Sequence, residues 1–222
     1  MQQKWTKFEK IWIVSIFLLM TIVVYKNSNG WMSNVVAITG VLSTFLFAKQ
    51  TRVAYLFSII NTLLYGIIVF NNAIYASAVY NLLYNFPMQI YGLIYWTKSK
   101  KREDLGIKTL SFNSKIKETA IIIPLIIIAT IVLKHFNGNL VVLDSIIMVL
   151  SYVAVFLMTN KYLEQWIVWM IVNFTGVIMW GILTYQDHSN ISLLVMWIIF
   201  LLNSIYGFIN WHKIVKDLKK LD

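Results

Sequence analysis

Cysteine is absent from this 222-residue chain, proline occurs only at Pro87 and Pro124, and acidic side chains are few, nine Asp and Glu against nineteen Lys and Arg. Without cysteine there is no disulfide scaffold and no thiol chemistry. Charged residues make up only 13% of the chain and hydrophobic residues 59%, whereas soluble domains carry about a quarter charged residues. A protein with so few polar side chains cannot cover a water-facing globule, so its surface faces lipid. The same hydrophobicity excludes a disordered tail.

A bilayer crossing takes roughly 20 apolar residues. Eight such runs are present: Phe8 to Tyr25, Trp31 to Ala48, Val53 to Phe70, Ala73 to Trp96, Thr119 to His135, Leu140 to Met158, Tyr162 to Tyr185 and Ile191 to Trp211. If all eight cross, seventeen of the nineteen basic residues fall on one side and only Lys26 and Lys134 on the other. That bias predicts cytoplasmic termini. It also turns the net charge of +10 into an orientation signal, where in a soluble chain it would suggest nucleic acid. Lys4, Lys7 and Lys10 before the first run resemble a secretory signal, but no small-x-small cleavage pattern precedes Asn27 to Gly30, so an uncleaved anchor helix is expected. The connection from Thr97 to Glu118 reads as a basic cytoplasmic linker at an anionic lipid surface.

The chain also repeats itself. Tyr91-Gly92-Leu93-Ile94-Tyr95-Trp96-Thr97-Lys98 and Tyr206-Gly207-Phe208-Ile209-Asn210-Trp211-His212-Lys213 share five of eight positions, and Asn61 aligns with Asn173. Three spans are echoed by three later ones, with a single span between that restores their orientation. The expected architecture is all-α and membrane-embedded. It comprises an N-terminal anchor (1–30), a first three-helix repeat (31–97), a basic loop (98–118), a linker helix (119–138), a second repeat (139–212) and a tail (213–222). Parallel repeats of this kind are a recurring plan of small-solute transporters, with the site between the halves near mid-bilayer.

Polar side chains within spans are costly, so they point to packing or binding. Trp166, Trp169, Asn173, Gly176 and Trp180 follow a 3, 4, 3, 4 spacing and share one helix face. Asn81, Asn85 and Gln89 recur every four residues around Pro87, and Asn61 and Asn203 add amides at similar depth. A tryptophan deep in a span and one turn from an asparagine suits a site that stacks on a ring and holds its polar edge, which fits Trp169 and Asn173. Asn85 and Gln89 lean towards a lumen, while helix packing is an equal reading for Asn81 and Asn203. Trp96, Trp197 and Trp211 read as interfacial belt residues. Pro87 frees the carbonyl of Leu83, which either faces a cavity or marks a kink.

All nine acids and the three histidines sit in loops or near span ends, whereas proton-coupled carriers place such groups within the membrane. A facilitator running down its substrate's gradient is therefore expected. No metal-spaced ligand set and no phosphate-binding glycine loop is present, so neither a cofactor nor an enzymatic activity is expected.

The stretch Trp166-Ile167-Val168-Trp169-Met170-Ile171-Val172-Asn173 resembles the Trp-x-x-Trp-x-x-x-Asn signature of the PnuC-type vitamin transporters, and Asn85 to Gly92 and Asn203 to Trp211 resemble that family too. The resemblance covers about Trp31 to Trp211. It implies a bacterial inner-membrane facilitator of nicotinamide riboside, related in architecture to the SWEET sugar transporters and assembled as a homotrimer, with a cytoplasmic kinase trapping the imported vitamin. It further implies that Trp166, Trp169 and Asn173 contact ribose and ring, with Asn85 and Gln89 across the cavity and Asn61 and Asn203 as weaker contacts. Thiamine, riboflavin and deoxynucleosides are substrates of related branches, and no residue here selects among them. A non-transporting membrane assembly protein, whose amides only hold helices together, is the alternative of another class. For a facilitator, uptake into proteoliposomes should proceed without any ion gradient; strict dependence on a gradient would refute that mode.

Overall fold

In the computed structural model, which describes residues 6–26, 31–49, 51–98 and 107–218, the protein is all-helical apart from one isolated bridge. The helices are α1 (Lys7–Lys26), α2 (Trp31–Ala48), α3 (Ala54–Asn71), α4 (Tyr75–Val79), α5 (Phe86–Lys98), α6 (Phe112–His135), α7 (Val141–Thr159), α8 (Gln165–Gln186) and α9 (Ile191–Leu218). A π-helical stretch, Tyr80–Asn85, joins α4 to α5, and a 3₁₀ turn, His188–Asn190, precedes α9. By length and composition α3, α7, α8 and α9 are each apolar enough to cross a bilayer, and Ile11–Val23, Trp31–Phe47 and Ala120–His135 are shorter apolar helical stretches. In lipid no water completes the backbone's hydrogen bonds, so helices are the form these sequences can take.

The helices close a ring. α2 packs on α3, α3 on the α4–α5 unit, that unit on α7, α7 on α8, α8 on α9, and α9 back on α2. α1 lies outside against α2 and α9, and α6 lies outside against α7 and α4. Large apolar side chains such as Leu83, Ile131 and Ile209 point outward and are more than 60% exposed, as expected where lipid covers the surface. Two buried clusters occupy opposite ends of the ring. One joins Phe47, Tyr55, Trp96, Trp166 and Trp211 near the α2–α3 and α7–α8 connections. The other is larger and includes Tyr65, Trp180, Leu183 and Trp197.

The repeated motif has equivalent packing in both copies. Trp96 meets Tyr55 edge to face at 5.5 Å and 78°, and Trp211 meets Trp166 at 5.7 Å and 80°. Gly92 and Gly207 make room for those partners. A Cβ at Gly92 would overlap the Tyr55 ring, and one at Gly207 the Trp166 ring. All three tryptophans read from sequence as belt residues are buried, Trp96 at 9% exposure, Trp197 at 5% and Trp211 at 1%. Position near a helix end suggested the headgroup region; Trp96 and Trp211 instead pack edge to face on Tyr55 and Trp166, and Trp197 lies in the space left by Gly176.

Only part of the basic connection before α6 is described. Lys100, Lys101 and Arg102 lie outside the described residues, as do Lys4 and the tail from Lys219. The described part is tied to the α7–α8 turn: the Lys108 N–H donates to the Lys161 carbonyl (2.9 Å), and the Leu163 N–H to the Lys108 carbonyl (2.9 Å). The Leu110 N–H reaches Glu164 Oε1 at 3.1 Å.

Replacing Gly207 by Ala should cost about 1 to 3 kcal/mol through overpacking, lowering the melting temperature in detergent by roughly 3 to 10 °C. Gly181, with nothing within 4 Å of an added Cβ, provides the contrast, since Gly181→Ala should be neutral or stabilising by up to about 1 kcal/mol. Equal shifts in the two variants would refute the slot.

Candidate functional site

A cavity lies inside the ring between the two clusters, with ≈ 110 Å³ open to the centres of water molecules. Every helix of the ring contributes to its wall. Six of the seven residues singled out from sequence line it: Asn61 from α3, Asn85 from the π stretch, Gln89 from α5, and Trp166, Trp169 and Asn173 from α8. Trp166 and Asn173 are buried at 4% and 3% exposure. Trp169 packs against both clusters, which puts its ring beside the cavity. Among the described residues no hydrogen bond is formed by the Asn173 amide, and the Trp166 Nε1–H has no partner.

The opposite wall is an amide ladder. The Gln89 Nε2 donates to Asn85 Oδ1 (2.6 Å), the Asn85 Nδ2 to Asn81 Oδ1 (3.3 Å) and to Thr62 Oγ1 (3.2 Å), and the Asn81 Nδ2 to the Ser77 carbonyl (2.8 Å). In a regular α-helix, residues four apart drift about 40° per step, so four such positions would spiral off one face. The wider π turn at Tyr80–Asn85 drifts the other way and keeps Ser77, Asn81, Asn85 and Gln89 on the cavity side. Its cause is local: Pro87 lacks a donor, and the ladder closes with the Phe86 N–H on the Asn81 carbonyl. Pro87 and Leu83 face outward, so of the two readings of the freed carbonyl the structure favours a helix irregularity.

Asn61 is partly committed elsewhere. Its Nδ2 donates to the Val36 carbonyl of α2 at 2.8 Å, entering space that a Cβ at Gly40 would occupy. Asn203 does not line the cavity. It is fully buried, accepts from the Trp12 Nε1–H at 3.2 Å, and lies 3.4 Å from Thr44 Oγ1 through its Nδ2. Depth and residue type matched the other amides, but its place on α9 turns it towards α1 and α2. Trp180 leaves the site too: its Nε1–H donates to the Tyr65 hydroxyl at 3.0 Å within the far cluster.

Sequence reasoning missed Tyr65, Trp197, Ser77 and Asp144. Trp197 lines the cavity by lying where a side chain at Gly176 would be. Asp144 opens α7, as an acid near a span end should, yet it is 1% exposed and accepts from the Ala76 and Ser77 N–H groups at 3.1 Å each and from the Ser77 hydroxyl. Nothing in a single sequence pairs residues 67 positions apart. Among the described residues the lining carries no Lys, Arg, His, Asp or Glu. It offers amides, hydroxyls and aromatic faces, a set suited to a ring compound with neutral polar groups.

Comparisons with known proteins point to one family of transporters. Residues 30–213 match the family model described as nicotinamide mononucleotide transporter. The nicotinamide riboside transporter PnuC of Neisseria mucosa is 30% identical, over 96% of this chain and 83% of that protein. The proteins of the same name from Haemophilus influenzae and Escherichia coli are 24% and 29% identical, over 96% and 69% of this chain and 92% and 75% of theirs. A crystal structure of the vitamin B3 transporter PnuC superposes with a TM-score of 0.80 at 28% identity, covering 96% of this chain and 94% of that one.

The Trp12–Asn203 contact is expected to serve stability. Trp12→Phe and Asn203→Ala should each destabilise the protein by about 0.6 to 2 kcal/mol, and by less than the sum when combined. Additive melting-temperature losses would show that the pair is not coupled.

Proposed function

The chain belongs to the nicotinamide mononucleotide transporter family, and from that premise we propose that it carries the riboside of nicotinamide, not the nucleotide, across the bilayer to supply NAD synthesis. The observation that carries this reading is the cavity wall, which among the described residues holds tryptophan faces and neutral amides but no cationic side chain. A phosphate taken out of water without a cation to pair it is strongly disfavoured. A pyridinium riboside asks for less: its ring stacks on Trp166 and Trp169, with cation–π attraction of about 0.5 to 2 kcal/mol. The Asn173 amide meets the polar edge and hydroxyls, and Asn85, Gln89 and Asn61 act from the facing wall. Asn203 is left with helix packing.

The remaining features belong to the same proposal. The core is a 3+1+3 arrangement of parallel three-helix repeats, SWEET-like, with α6 as the linker and α1 as an added N-terminal crossing; the paired Gly–Trp motifs support the duplication. The distribution of basic residues supports cytoplasmic termini in a bacterial inner membrane. Transport runs by facilitated diffusion, cytoplasmic phosphorylation traps the product, and the working unit is a homotrimer.

A thermal-shift panel of purified protein with nicotinamide riboside, thiamine, riboflavin and deoxynucleosides tests the assignment; stabilisation by nicotinamide riboside above the others is expected. Trp169→Ala and Asn173→Ala should each weaken that binding by about tenfold or more with folded yield retained. Unchanged affinity in both variants would remove the pocket from the proposal.

A further inference from the structure

The amide ladder has a direction. A backbone carbonyl can only accept, so the Ser77 carbonyl obliges Asn81 to turn its Nδ2 towards it (2.8 Å) and hence its Oδ1 towards Asn85. Asn85 must then offer Nδ2 to Asn81, and its Oδ1 receives the Gln89 Nε2. Each amide alone has two orientations, yet one carbonyl fixes all three. The consequence is a bare oxygen at the far end: Gln89 is 2% exposed, and its Oε1 has no partner.

What holds Ser77 is Asp144. Ala76 and Ser77 stand in the first turn of α4, where backbone N–H groups lack intrahelical acceptors, and Ile74 at the cap position supplies no side-chain bond. The Asp144 carboxylate, reaching across from α7, takes both N–H groups and the Ser77 hydroxyl. An ionised carboxylate is acceptor-only, which suits three converging donors. An amide in its place would direct its own N–H₂ towards one of them.

The geometry points to Asp144 as a positioning residue for ligand recognition: by pinning Ser77 it holds in place the carbonyl that sets the sense of the ladder, so that Gln89 Oε1 is held as an acceptor for a donor group of the ligand. This rests on the cavity being the riboside site. Asp144 touches no ligand itself and acts through four hydrogen-bonded residues, from Ser77 to Gln89.

The test is a double-mutant cycle on the purified protein, titrating nicotinamide riboside into wild type, Asp144→Asn, Gln89→Leu and the double variant, with the ligand-free melting temperature of each. Asp144→Asn and Gln89→Leu are each expected to weaken binding by about tenfold, and the double variant to bind no more weakly than Gln89→Leu, because both act through one oxygen. If Asp144→Asn lowers the melting temperature without changing affinity, or if the two losses multiply, Asp144 is a helix cap only and the inference falls. Asn81→Leu cuts the ladder and leaves the cap intact, so it answers the same question if Asp144→Asn fails to fold. It should show the same loss and the same non-additivity with Gln89→Leu, and unchanged affinity overturns the inference. Absence of riboside binding by the wild-type protein would overturn the function proposal and this inference together, a result distinct from an additive cycle.

Discussion

A polar group inside a bilayer has no water to bond with, so each one must be answered by another part of the protein. Regular helices answer most of the backbone internally. The α4–α5 unit is irregular, beginning in the short helix α4 and widening into a π turn, so it needs external partners. Asp144 supplies them for the first turn of α4, and the side-chain ladder from Ser77 to Gln89 links the amides of this wall to one another. The irregularity thus builds a polar wall in the interior of an apolar ring, bonded along its length and bare only at Gln89 Oε1.

Two aromatic layers bound this wall. Towards the basic end, Tyr55 with Trp96 and Trp166 with Trp211 form equivalent edge-to-face pairs, each seated by a glycine. Towards the other end, Tyr65 holds the Trp180 indole and packs near Trp197. Trp166 serves twice, as part of a layer and as part of the cavity wall. Its counterpart Tyr55 does not line the cavity. The two copies of the Gly–Trp motif therefore flank unlike walls, with stacking faces on α8 and amides on α4–α5. That asymmetry suits a ligand with a flat ring on one side and hydrogen-bonding groups on the other.

The legible part of the site is the part that one helix carries. Trp166, Trp169 and Asn173 share a face by spacing alone, and Asn85 and Gln89 share another, so periodicity found them. Asn203 matched them in type and depth but belongs to a contact with Trp12, since a helix surrounded by neighbours has several buried faces and spacing does not say which one meets the cavity. Trp197 was hidden for a related reason. A tryptophan near a helix end normally meets headgroups; what draws it inward is the absence of a side chain at Gly176, on a different helix. Asp144 reads as a loop-proximal acid until α4 is folded against α7.

The sequence by itself determined the membrane class, most of the helices to within a few residues, the repeated Gly–Trp motif and the face of α8 that carries the tryptophan signature. These follow from properties local to a segment: hydrophobic length, period and motif. Tertiary structure alone decided which amides meet, the common sense in which the ladder points, the burial of the end tryptophans and the role of the acid on α7. Each of those depends on two segments far apart in the chain, and a single sequence holds no record of distance between them.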